Sequence, residues 1–65
     1  MRALPLQTAE LLDGLVATRT LASWCHNCDA GEVTWHLIDQ RPSVRPWRGA
    51  AAGAVADVTL VLAGR

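Results

Sequence analysis

Apolar and polar positions alternate along this chain in patterns that define a few short elements. Leu11, Leu12, Leu15 and Val16 recur at helical spacing, which predicts a helix from Ala9 to about Ala17. Thr8 stands where an N-cap would be, and Glu10 falls in the first turn, where the helix dipole favours a carboxylate. Gly14 opposes this helix by about 1 kcal/mol relative to Ala. Thr18 to Trp24 is richer in β-formers and reads as a strand. Glu32 to Asp39 is the clearest strand, with Val33, Trp35 and Leu37 on one face and Thr34, His36 and Ile38 on the other. Gln40 to Gly53 reads as irregular, because Pro42 and Pro46 forbid a central strand and Gly49 and Gly53 flank an alanine run. In Val55 to Ala63, Val58, Leu60 and Leu62 alternate with Thr59 and Val61, as in a strand buried on both faces. The expected fold is α+β: one N-terminal helix packed on a small, mainly antiparallel three-stranded sheet, with a Cys-x-x-Cys turn at one sheet end. Residues 1–65 are expected to form a single small domain.

Length changes this picture by limiting the core. A chain of 65 residues buries only about 60% of the surface it exposes when unfolded. Scaffolds under roughly 70–80 residues usually need a disulfide, a metal or a partner subunit. Charge is balanced, with 6 basic and 6 acidic residues, which excludes a polyanion-coating chain. Lys, Phe and Tyr do not occur. Without Lys, Schiff-base chemistry and a Walker-type phosphate loop are excluded, and Trp24, Trp35 and Trp47 supply all the aromatic mass. Trp24 and Trp35 are expected in the core, since each can bury about 200 Å2.

Gln7, Thr8 and Glu10 interrupt any apolar run of signal-peptide length after Met1, and two cysteines three positions apart make a poor structural disulfide framework. The expected setting is reducing and cytoplasmic. Gly49 to Gly64 is mostly apolar and contains Gly49-x-x-x-Gly53. It is shorter than the ~20 residues of a span and carries Asp57 in its middle, so no membrane insertion is expected.

Chemistry concentrates between Trp24 and His36, a stretch that holds Cys25, Cys28, His26 and His36. Two thiolates separated by two residues can grip one metal ion from a tight turn. Cys25-x-x-Cys28, followed by Asp29-Ala30-Gly31 and a strand, resembles the zinc knuckle of zinc-ribbon and rubredoxin-type proteins. That resemblance implies a zinc ion on Cys25 and Cys28 in a turn between antiparallel strands. No second Cys-x-x-Cys is present to close the tetrahedron. His36 is the best further protein ligand, whereas His26, adjacent to Cys25, points away from the same ion. A second copy of the chain could donate its own Cys25 and Cys28, giving a four-thiolate site across a two-fold axis.

Trp24-Cys25-His26-Asn27-Cys28 also resembles the Trp-Cys-x-x-Cys site of thioredoxin-like oxidoreductases. By that resemblance Cys25 would attack a disulfide and Cys28 would resolve the mixed disulfide. It also implies a long helix after the motif. Two buried thiols with no chemical role are the third alternative.

Arg41, Arg45 and Arg48 are interleaved with Pro42, Pro46 and Trp47, and no acid intervenes. Guanidinium forks and an indole on a stiff loop suit a protein contact, or phosphate with a stacked base. Overall neutrality weighs against nucleic acid. The function expected from these residues is a small non-enzymatic binding or adaptor module, stabilised by zinc on Cys25, Cys28 and His36. It would meet a protein partner, or a second copy in a homodimer, through Arg41, Arg45, Trp47 and Arg48. The alternatives are a thiol–disulfide redox protein and a minor subunit of a larger complex. No small-molecule substrate is identified.

Overall fold

The computed structural model describes residues 4–27 and 29–64. Its elements run α1 (Leu6–Ala17), β1 (Leu21–Asn27), β2 (Glu32–Leu37), β3 (Ser43–Pro46) and α2 (Ala50–Ala63). The strands form one antiparallel sheet in the order β1-β2-β3, an α+β arrangement with β2 in the centre.

Helix α1 starts earlier than its apolar spacing predicts. Pro5 is the N-cap residue, and its carbonyl accepts from the backbone N–H groups of Thr8 and Ala9 at 3.0 and 3.1 Å. Thr8 therefore lies inside the first turn, and no acid does. The chain leaves α1 through a Schellman-type turn. Arg19 adopts φ 60, and the N–H groups of Arg19 and Thr20 donate to the carbonyls of Val16 and Leu15 at 3.0 and 2.9 Å.

An irregularity between Leu21 and Ser23 then shifts the β1 register by one residue, so that Leu21 opposes Leu37 while Ser23 opposes His36. Such a bulge lets side chains three positions apart face the same way. Leu21 is buried and Trp24, half-buried, packs on the same core.

On β2 the expected alternation holds: Val33, Trp35 and Leu37 are buried, and Thr34 and His36 are less so. The strand ends at Leu37, and Ile38 and Asp39 enter a turn in which Asp39 takes φ 60. The inner sheet face meets both helices through Leu12 of α1 and Ala50, Ala54 and Val58 of α2. The outer face, with Ser23, Cys25, Thr34, His36 and Val44, is covered by neither.

Two expectations are overturned. The third strand is Ser43–Pro46, inside the stretch expected to be irregular. It is an edge strand opposite β2, and Pro46 ends it, where a missing N–H removes no ladder bond. The expected last strand is instead the C-terminal part of α2. Ala50, Ala51, Ala52, Ala54 and Ala56 favour helix, and burial recurs at Ala50, Ala54 and Val58, four residues apart. Among the described residues, no helix is long and apolar enough to cross a membrane.

Candidate functional site

The candidate site is the outer face of the β1–β2 hairpin. Cys25 opposes Thr34, and Ser23 opposes His36. Alternation places Ser23, Cys25, Thr34 and His36 on one face, with Cys25 and His36 as diagonal neighbours. Diagonal pairs of this kind stand about 7–8 Å apart at the backbone, with side chains able to converge. Cys25 is exposed and His36 half-buried. Cys28, the other expected thiolate, lies outside the described residues.

His36 is oriented by its neighbour. Ser23 Oγ lies 3.2 Å from His36 Nδ1. In the tautomer where Nδ1–H donates to Ser23, the Nε2 lone pair is left for another partner, an arrangement that also steers metal-binding histidines. Near the hairpin end, Ala30 N–H donates to Asn27 Oδ1 at 3.2 Å, and Gly31 adopts φ +66 beside the Trp47 ring. His26 is half-buried and, by the same alternation, belongs to the inner face with Trp24. It does not share a face with Cys25. Among the described residues, no group of three or more His, Cys, Asp or Glu side chains is placed to hold a metal ion.

The thioredoxin-like resemblance implies a helix after the motif. Residues 29–31 form a turn and Glu32–Leu37 is β2, so Cys25 stands on a strand of a hairpin with no helix N-terminus following it.

The four residues expected to contact a partner separate into different surroundings. Arg41 is exposed beside the β2–β3 turn. Arg45, on β3, faces inward and its Nη2 lies 3.7 Å from Asp57 Oδ1. Trp47 is half-buried, packs against the core and donates its backbone N–H to the Gly31 carbonyl at 2.8 Å. The Arg48 guanidinium lies 5.8 Å from the centroid of the Trp47 ring, within cation–π range. Arg41 and Arg48 are thus outward-facing cations, while Arg45 and Trp47 also serve the fold.

Asp13, Asp57 and Ser23 matter in ways their spacing did not reveal. Trp24 Nε1 donates to Asp13 Oδ1 at 2.9 Å, and Trp35 Nε1 donates to Asp57 Oδ2 at 2.8 Å. Each helix is thereby tied to the sheet by an indole–carboxylate bond. One signal was available for Asp57: it is the only charged residue between Gly49 and Gly64, and a buried indole N–H needs an acceptor. The chain matches no protein-family model, and no curated protein or solved structure is significantly similar to it.

Proposed function

We propose that the chain is a small non-enzymatic binding module whose β1–β2 hairpin carries a zinc ion on Cys25 and Cys28, with His36 as a further ligand. The observation that supports this most is the register: the Cys25–Thr34 and Ser23–His36 pairs make a thiol and an oriented imidazole diagonal neighbours on the outer sheet face. Thiolate and neutral imidazole are the ligands zinc prefers. Cys28 follows Cys25 by three positions in the sequence. A second copy supplies what remains of the tetrahedron, which also answers the need of so small a core for a staple. Arg41 and Arg48 are the outward cations available to an acidic protein partner.

Native mass spectrometry of the untagged chain tests this. The expected result is zinc in simple proportion to protein, lost together with the dimer in a Cys25→Ser, Cys28→Ser variant. A metal-free monomer that melts at the same temperature with or without both thiols would end the proposal.

A further inference from the structure

A cleft of about 530 Å3 opens between the end of β2, the turn that follows it and the C-terminal half of α2. It is a shallow depression, open to solvent over much of its extent. It lies on the α2 side of the sheet, away from the outer face that carries Cys25 and His36. Leu37, Leu60 and Val61 give it an apolar wall, and Asp39, Arg41 and Asp57 line it as well.

Asp57 is its anchored charge. The side chain is 15% exposed, and its Oδ2 accepts the Trp35 indole N–H at 2.8 Å. Its Oδ1 has Arg45 Nη2 at 3.7 Å, which is longer than a hydrogen bond. Oδ1 is therefore ion-paired with Arg45 but not hydrogen-bonded to it, and an incoming ammonium group would share that oxygen with the guanidinium. Arg41 brings the opposite chemistry, a guanidinium fork suited to a carboxylate. A purely anionic ligand would face two acids in this cleft, and a purely cationic one would face Arg41. A zwitterion satisfies both, and the apolar wall asks for a hydrocarbon body.

We propose that this cleft binds a free aliphatic α-amino acid, with its ammonium on Asp57, its carboxylate on Arg41 and its side chain over Leu37, Leu60 and Val61. Asp39, which also lines the cleft, is a second acid there.

The test is a titration of the isotope-labelled intact chain by NMR, read at the Trp35 indole N–H, whose acceptor is the proposed ammonium site. Three probes separate the contributions: L-leucine, isovalerate, which lacks the ammonium, and isopentylamine, which lacks the carboxylate. L-leucine should give a saturable shift, and each probe missing one charge should bind about tenfold more weakly or worse, the scale of a lost charged hydrogen bond. Arg41→Gln, an exposed change that leaves the fold intact, should weaken L-leucine by a similar factor. Asp57→Asn keeps an amide oxygen for the indole and should abolish the preference for L-leucine over isovalerate. No saturable shift with L-leucine, equal binding of all three probes, or an Arg41→Gln chain that binds L-leucine as tightly as the parent would each overturn the proposal.

Discussion

Trp35 donates its indole N–H to Asp57 across 2.8 Å, so the centre of the sheet is bonded to the one charged side chain of α2. Trp35 is fully buried, and removing the carboxylate leaves its donor without its protein acceptor. Its cross-strand neighbour Trp24 makes the matching bond to Asp13 on α1 in a more exposed setting. The two tryptophans stand side by side on one face, and each fastens a different helix.

Removing these two acceptors should have unequal effects. Asp57→Ala leaves a buried donor unmade and is expected to cost about 1–3 kcal/mol. Asp57→Asn, which retains an acceptor, should cost less. Asp13→Ala should cost under about 1 kcal/mol, because water can replace an exposed acceptor. Urea unfolding of the three variants measures the order, and equal losses for Asp13→Ala and Asp57→Ala would contradict the difference in burial.

Alanine in place of glycine should act with opposite sign in the two helices. A Cβ at Gly14 meets nothing within 4 Å, so Gly14→Ala should stabilise by about 0.5–1 kcal/mol through helix propensity. A Cβ at Gly53 would stand 2.9 Å from Arg45 Cδ and 3.1 Å from Trp35 Cη2. Trp35 is packed on all sides, so Gly53→Ala is expected to destabilise by about 1–3 kcal/mol despite the same propensity gain. Thermal melts of both variants decide this, and a higher melting temperature for Gly53→Ala would show that α2 lies further from the sheet.

Ser23 offers a test of the metal reading that leaves both thiols in place. If His36 holds zinc through Nε2, losing the hydroxyl at Nδ1 should weaken the metal by about 10–100-fold. Competition against a coloured chelator reads Ser23→Ala and His36→Gln directly, with the larger loss expected for His36→Gln. Unchanged affinity in His36→Gln would remove His36 from the ligand set.

Burial along α2 separates the helix from the strand that alternation alone suggests. In a strand, Val58, Leu60 and Leu62 would share a buried face. In the helix Val58 is 6% exposed, against 72% for Leu60 and 52% for Leu62. Leu60→Gln and Leu62→Gln should each change stability by no more than about 0.5 kcal/mol. Val58→Asn, which buries an amide in place of a methyl pair, should cost about 2 kcal/mol or more. Similar losses at all three positions would restore the strand.

Local pattern determined much of this protein. Period-two alternation from Val33 to Leu37 marked the central strand and its buried face, and Leu12, Leu15 and Val16 marked α1, because both periods are carried by neighbouring residues. Tertiary structure decided the rest. Val55 to Ala63 is an apolar run whose β-branched alternation and helical spacing coexist, and only packing of Ala50, Ala54 and Val58 against the sheet selects the helix. Ser43–Pro46 becomes a strand because an edge position tolerates Pro46, and being an edge is a property of the assembled sheet. The diagonal placement of Cys25 and His36 on one face, and the bond between Asp57 and Trp35 across 22 positions, likewise depend on register and long-range contact. Those are set by which surfaces bury together, and no stretch of neighbouring residues encodes them alone.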